Sequence, residues 1–381
     1  MPQTPQQYLD QKVQEILDAH GVPAIAAVLV RDGGNTKTIS VKGVRKWDVS
    51  HTAPGNQIQL HDRFSLGSVS KPVTGYLAAY LVQTGSLSLG TTIRQVFPEF
   101  QNSWCRRGYG MRDYFLEKTV EQLMCHMAEL QYAPLQGYES LFGNFTPQNT
   151  SGYSNEAAEM FRRYLYTIVA QQDPELPSNA PPGERYSGGC IIVAAMAERL
   201  LNLSYQKLLK THVFTPLGMN DSGVGRLCTS SAPDGTWQHS WMNSQIVPAQ
   251  FAMTPQFDFH SHNPAGAVYM SAPDAAKFIE ANLSENGKPK LVASDEFLRQ
   301  SHALGSPVTN ASKGGWGISG NKVWHNGDNG ASYAYLRVTP SENWGAAAFT
   351  NVSSGQKGQL AVDETISALR TMHQNWATLF P

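Results

Sequence analysis

A serine and a lysine stand three residues apart in Ser68-Val69-Ser70-Lys71, where a polar-flanked, strand-like segment (Gln59 to Leu66) gives way to a helical pattern. At a helix start, residues three apart share one face, so the lysine amine can reach the serine hydroxyl. The helix N-terminus adds a positive field around both groups. That field, with burial, favours an amine able to take the serine proton. The geometry is that of an activated nucleophile.

The spacing alone is unspecific. Ser-x-x-Lys recurs at Ser204/Lys207, Ser319/Lys322 and Ser354/Lys357. Ser204 falls late in a polar-faced helical segment, and Ser319 and Ser354 lie among Gly-rich turns with no helix to fix the pair. Only after Ser68 does a proline (Pro72) take an early helical position that it tolerates. Val73, Leu77 and Leu81 then recur at helical spacing, and Gly85 is a natural stop. An N-cap serine beside a solvated lysine fits the spacing and context equally well.

A nucleophile needs a base, an oxyanion site and a proton path to the leaving group. Pro182-Gly183-Glu184-Arg185-Tyr186-Ser187-Gly188-Gly189-Cys190 offers a phenol on a turn before a helix, flanked by glycines that let backbones approach. A phenolate near an ammonium could act as general base, and a neutral phenol could join a proton relay. Trp324-His325-Asn326-Gly327-Asp328-Asn329-Gly330 lies between two predicted strands. A Gly-rich strand edge lets a substrate backbone lie alongside and exposes an amide N–H to an oxyanion. His325 could orient a substrate carboxylate or the phenol of Tyr186. Taken singly, these segments also fit a packed loop tyrosine and a hairpin turn with a surface histidine. Asp258-Phe259-His260-Ser261-His262 has alternate spacing compatible with a divalent metal, but no further ligand cluster adjoins it. A loop before Asn263-Pro264-Ala265-Gly266 is the preferred reading, with no metal, and His126 reads as a structural histidine.

The elements that must position these groups follow from pattern. Thr4 and Pro5 look like the N-cap and first residue of a helix reaching about Ala19, closed by Gly21. Ala24–Val30 and Thr36–Val41 read as strands about a tight turn at Asp32-Gly33-Gly34-Asn35. Helices are expected over the Ser68 segment, Val120–Met127, near Glu156–Gln171 and over Ile191–Leu201. Trp316–Ile318, Lys322–Trp324, Tyr333–Thr339 and Trp344–Asn351 read as strands. A final amphipathic helix, roughly Gln359–Met372, carries Leu360, Ile366 and Leu369. Strands at both ends around a helical middle predict an α+β fold: an antiparallel sheet built from both chain ends, flanked by the terminal helices, with a mostly helical region inserted. The sheet part is expected over residues 1–65 and 255–381, and the helical part over 66–254. An aromatic, loop-rich stretch over 130–182, with Tyr132, Tyr138, Phe142, Phe145 and Tyr153, reads as a lid or pocket wall.

At 381 residues the chain can bury a sizeable core. A net charge of −1 with no basic stripe argues against nucleic acid as the main partner. No stretch approaches the ~20 apolar residues needed to span a bilayer, so no membrane partner is expected. Met1-Pro-Gln-Thr-Pro lacks a basic region followed by an apolar one, from which a cytoplasmic location is expected. Cys105, Cys125, Cys190 and Cys228 show neither Cys-x-x-Cys spacing nor disulfide density, and Cys125 and Cys190 read as small buried hydrophobes.

Together these segments resemble, in order and over almost the whole chain, the serine β-lactamase and penicillin-binding-protein superfamily, in its class C-like esterase and D-aminopeptidase branch. Phe64-Ser-Leu-Gly-Ser68-Val-Ser-Lys71-Pro-Val-Thr74 resembles the nucleophile motif, and Leu81 to Gly90 the apolar stretch after it. Thr119 to Leu130 resembles the next helix, although its usual His-Thr-Ser-Gly-Leu ending reads His126-Met127-Ala128-Glu129-Leu130. Tyr186-Ser187-Gly188 falls at the Tyr-x-Asn motif. Pro216-Leu217-Gly218-Met219 and Asn263-Pro264-Ala265-Gly266 match structural signatures, and His325-Asn326-Gly327 falls at the Lys-Thr-Gly or His-x-Gly motif.

The resemblance implies one β-lactamase-like catalytic domain over 1–381. Ser68 is then the acyl-accepting nucleophile, Lys71 its proton partner, and Tyr186 the activator of Ser68 and later of the deacylating water. The backbone N–H groups of Ser68 and Asp328 form the oxyanion hole, and His325, Asn326, Gly327 and Gly188 line the substrate. Gly188 replaces the Asn that usually helps to hold the lysine and the substrate amide. His325 replaces the Lys that usually meets a β-lactam carboxylate. Both departures argue against efficient β-lactamase activity. The expected substrate is an ester or amide of a small molecule or short peptide, and no cofactor is expected. An acyltransferase using the same acyl-enzyme and a non-catalytic binding protein on the same scaffold are the alternatives, and the oligomeric state is left open.

Overall fold

The computed structural model describes residues 3–101, 113–128, 188–225, 227, 235–249, 263–283, 304–306 and 311–381. Tyr186, the aromatic stretch 130–182, the expected helix near Glu156–Gln171, the Asp258–His262 segment, Cys105 and Cys228 lie outside these residues. In chain order the strands are β1 (Ala24–Arg31), β2 (Thr36–Gly43), β3 (Arg63–Ser65), β4 (Gly223–Val224), β5 (His239–Met242), β6 (Gln245–Pro248) and β7 (Val268–Ser271). There follow β8 (Leu304–Ser306), β9 (Ala311–Ser312), β10 (Gly317–Ser319), β11 (Lys322–Asp328), β12 (Tyr333–Thr339) and β13 (Trp344–Thr350). Among the described residues, eight of them form one sheet in the order β2-β1-β13-β12-β11-β10-β9-β8, and its paired neighbours run antiparallel. The sheet therefore joins the two ends of the chain, as the α+β pattern predicts.

Both faces of this sheet are covered, and β1 shows why a nearly continuous apolar run was needed there. Ala24, Ala26, Val28 and Val30 point into one core, while Ile25, Ala27 and Leu29 point into the other. Side chains two apart share a face, so a strand buried on both sides must be apolar at every position. The second core is closed by the N-terminal helix Pro5–His20 and the C-terminal helix Gln359–Gln374, through Leu9, Val13, Ile16, Ile366, Leu369 and Met372. Thr4 caps the first helix by accepting from the Gln7 N–H, with Gln7 answering the Thr4 N–H, and Gly21 closes it at φ 58°. Leu360, expected on the apolar face of the last helix, is instead exposed; Ala361, Val362 and Thr365 take the buried positions.

The opposite core holds the helical part. Helix Ser70–Gln83 is buried nearly all round, which the Val73, Leu77, Leu81 spacing alone did not require. It packs against Gly189–Leu201 and the short helix Asn263–Gly266. Two further expectations are corrected. The helix over Val120–Met127 stops at Met124, because His126 adopts a left-handed φ of 61°. The strand expected over Lys322–Trp324 runs on to Asp328, because Asn326, Gly327 and Asp328 pair with Tyr335, Ala334 and Tyr333 of β12. No helix among the described residues is long and apolar enough to cross a membrane.

His239 ties β5 to the sheet and is fully buried. Its Nδ1 lies 2.8 Å from the Asn351 carbonyl, and its Nε2 accepts from the Trp47 N–H at 3.0 Å. That pairing needs the neutral ring. Burial holds its pKa down at about 4 against the ordinary 6.5, with the Asn351 carbonyl pulling the other way. The unfolded chain therefore binds a proton here before the folded one does. The contribution of His239 is full above about pH 6.5 and is lost as pH falls towards 4, by roughly 1.4 kcal/mol per pH unit. Urea unfolding at pH 7 and pH 5 is expected to show a smaller pH-dependent loss in His239→Asn than in wild type; equal losses would show that His239 does not titrate this way.

Candidate active site

Ser68 sits in a tight turn, Gly67–Val69, that runs directly into helix Ser70–Gln83. Lys71, only 2% exposed, donates from Nζ to Ser68 Oγ at 2.8 Å and to the Ala265 carbonyl at 3.3 Å. The other Ser-x-x-Lys copies are placed differently. Ser204 caps the helix Tyr205–Leu209 by accepting from the Lys207 N–H. Ser319 and Lys322 face each other across the β10–β11 turn, and Ser354–Lys357 lies in a turn before the C-terminal helix.

Three contacts that sequence reasoning missed hold this turn. Ser70 Oγ donates to the Gly67 carbonyl at 2.6 Å and accepts from the Val268 N–H at 2.9 Å, pinning the turn to β7. Thr74 Oγ1 donates to the Pro264 carbonyl at 2.6 Å, fixing the helix whose next carbonyl holds Lys71. Ser70 was hidden inside the motif itself, and a backbone carbonyl such as that of Ala265 leaves no mark on a sequence.

The other side of the turn is β11. Gly67 takes a left-handed φ of 51°, and a Cβ there would lie 2.8 Å from the Asp328 nitrogen. A Cβ on Gly327 would overlap the Leu66 carbonyl and lie 2.5 Å from the Ser68 nitrogen. Only two glycines facing each other allow this approach. It brings the backbone nitrogens of Ser68 and Asp328 to the same junction, beside the Ser68 hydroxyl.

His325 is on the face of β11 turned towards Lys71, and it is 7% exposed, so the surface-turn alternative does not hold. Its Nδ1 lies 2.5 Å from the Asn326 carbonyl, which places the ring proton on Nδ1 and the lone pair on Nε2. Burial, then the charge of Lys71, pushes its pKa down to about 3, and His126 adds to the effect. The imidazole is therefore uncharged at neutral pH. His126, expected to be merely structural, is buried close enough to His325 to be felt electrostatically. Asn326 points to the other face of the sheet, where its Nδ2 donates to the Tyr333 hydroxyl at 3.1 Å.

Gly188 caps helix Gly189–Leu201 without a side chain to offer, beside Cys190, whose Sγ lies 3.9 Å from the Pro264 carbonyl. Burial raises the Cys190 thiol to about 11, so it stays protonated and is no second nucleophile. The arrangement is thus a half-buried hydroxyl bonded to a buried amine, with two backbone nitrogens at its side and a neutral imidazole behind.

The family model described as Beta-lactamase matches residues 9–369 of this chain. Penicillin-binding protein 4 of Amycolatopsis lactamdurans is 24% identical over 89% of this chain and 84% of its own length. Esterase EstB of Burkholderia gladioli is 25% identical over 67% of this chain and 65% of its own. Among solved structures, EstCE1, a hydrolase with promiscuous acyltransferase activity, superposes with a TM-score of 0.69 at 15% identity, covering 96% of this chain and 99% of that one.

The Gly67–Gly327 approach generates a prediction. Gly327→Ala is expected to keep its far-ultraviolet circular dichroism and to lose about 10²-fold in turnover of a model ester, the usual cost of displacing one oxyanion donor. Wild-type turnover in that variant would mean that the junction plays no part in the chemistry.

Proposed function

The chain belongs to the Beta-lactamase family, and from that premise we propose that it is a serine hydrolase cleaving an ester or amide of a small molecule or short peptide through an acyl-enzyme on Ser68. The observation that carries this reading is the 2.8 Å bond from the buried Lys71 amine to the Ser68 hydroxyl. In the first step Ser68 Oγ attacks the acyl carbonyl, and its proton passes into a relay of Lys71 and Tyr186. The carbonyl oxygen gains charge and is met by the N–H groups of Ser68 and Asp328. Collapse breaks the bond to the leaving group, which takes the relayed proton. Water, activated by the same relay, then attacks the acyl-enzyme and restores the Ser68 hydroxyl.

The neutral His325 bears on substrate choice. A β-lactam carries a carboxylate, and an uncharged imidazole offers that anion no countercharge. An ester or neutral amide needs none, so His325 serves better as an acceptor for a hydroxyl or N–H. The esterase among the relatives is consistent with this class. In the same reading, residues 1–381 are one catalytic domain, the 130–182 segment walls the pocket for an apolar or aromatic acyl group, and the protein works in the cytoplasm.

A second reading keeps the acyl-enzyme and changes the acceptor, in line with the promiscuous acyltransferase activity of EstCE1. Exclusion of water would then let an alcohol or amine take the acyl group. Steady-state kinetics on p-nitrophenyl esters test both. Ser68→Ala and Lys71→Ala are each expected to lose at least about 10³-fold in kcat/KM, as activated-nucleophile variants do. Added alcohols should leave the free acid as the main product if the hydrolase reading holds. Unchanged kcat/KM in Ser68→Ala would reject both readings, and a wild type that binds these esters without turning them over would leave a binding protein.

A further inference from the structure

β11 and β12 are joined by the turn Asn329-Gly330-Ala331-Ser332, and one side chain organises it. Asn329 Oδ1 accepts from the Ala331 N–H at 3.1 Å, the Ser332 N–H at 2.9 Å and the Ser332 hydroxyl at 2.9 Å. Donors converging on one atom identify it as the amide oxygen and leave Nδ2 to donate. Nδ2 donates to Ser65 Oγ at 2.8 Å. Ser65 is 5% exposed and ends β3, the strand that leads into the Ser68 turn.

An asparagine that only closed a turn would need no partner for Nδ2. Here the second half of the amide crosses between two sheets. Asn329 follows β11 of the eight-stranded sheet, whereas Ser65 belongs to the three-stranded sheet with β7 and β4. The turn is also fastened from behind. Gln238 Nε2 donates to the Ser332 hydroxyl at 3.3 Å, and Ser240 Oγ donates to the Gly330 carbonyl at 2.8 Å. A directed chain of bonds thus runs from Gln238 through Ser332 and Asn329 to Ser65.

The residue before Asn329 is Asp328, whose N–H faces the nucleophile. The Asn329 N–H donates to the Ser332 carbonyl at 3.4 Å, and such bonds recur at every second residue of an antiparallel strand. The Asp328 N–H therefore turns away from β12, to the side where a Cβ on Gly67 would lie 2.8 Å from its nitrogen. The facing glycines permit this approach, but without side chains they do not fix it. The bond from Asn329 to Ser65 supplies a directional tie between the two backbones.

We propose that Asn329, tied to Ser65, is a positioning residue for the oxyanion hole, setting the Asp328 N–H against the Ser68 nitrogen. This role rests on the acyl-enzyme reading of Ser68. A donor displaced slightly loses most where charge develops on the carbonyl oxygen, so the transition state suffers more than the bound ester.

The test compares p-nitrophenyl acetate with its thionoester, in which sulfur replaces the acyl carbonyl oxygen. Sulfur is a weak hydrogen-bond acceptor, so a well-placed oxyanion hole favours the oxygen ester. Ser65→Ala removes the tie and keeps the Asn329 turn. Asn329→Ser keeps an acceptor for the turn and is too short to reach Ser65. In each, kcat/KM for the oxygen ester is expected to fall about tenfold, less than the ~10²–10³ for deleting an oxyanion donor. The thionoester value should fall less than about threefold, so the preference for oxygen shrinks. The double variant should fall no further than either single one, because both act through one bond. If Ser65→Ala does not fold, Asn329→Ser decides by the same comparison. Equal losses on both esters, or none, would overturn the positioning role, and a wild type still acylated on Ser68 would keep the acyl-enzyme reading. A wild type with no preference for oxygen beyond that of the uncatalysed reaction would also overturn the role. A wild type that hydrolyses neither ester would overturn it together with the acyl-enzyme reading.

Discussion

The structure is organised around a buried amine. Lys71 brings a polar, basic group into a helical core, where its acceptors among the described residues include the Ser68 hydroxyl and the Ala265 carbonyl. Burying such a group is costly unless it is bonded, and the surrounding architecture reads as the means of bonding it. Thr74 holds the short helix Asn263–Gly266 in place through Pro264, so that the next carbonyl points at Lys71. Ser70 clamps the turn to β7. Gly67 and Gly327 remove the two Cβ atoms that would keep the turn away from β11.

The two-core sheet explains how such a junction can be rigid. β11 pairs with β10 over Lys322–Trp324 and with β12 as far as Asp328, so the backbone beside Ser68 is held by β12 while the Ser68 turn packs against it. Its alternation divides labour between the faces. His325 and Gly327 turn to the helical core and the nucleophile; Lys322, Trp324 and Asn326 turn to the opposite face. One seven-residue strand thus carries the neutral imidazole on one side and a polar, aromatic set on the other.

Much of this was legible in the residues. The capping signals at Thr4 and Gly21, the apolar run of β1 and the alternating strands of the last third are local patterns, and local patterns survive in a sequence. The choice of Ser68 over three other copies rested on Pro72 and the helix behind it, and Lys71 does bond Ser68. The continuation of β11 through His325-Asn326-Gly327-Asp328 was not legible, because these residues favour turns and are held in a strand by pairing with β12. Nor was the neutrality of His325, which depends on burial and on Lys71, more than 200 positions away in the chain.

If Ser68, held by Lys71, is the nucleophile, it must become covalently acylated during turnover. Acid-quenched mass spectrometry of the protein, milliseconds to seconds after mixing with an activated ester, observes that step itself, and mapping of the modified peptide locates it. A mass increase equal to the acyl group is expected on Ser68, appearing within the first turnover and decaying as free acid forms. An adduct on any other residue, or turnover with no adduct on Ser68 at any time, would contradict the acyl-enzyme.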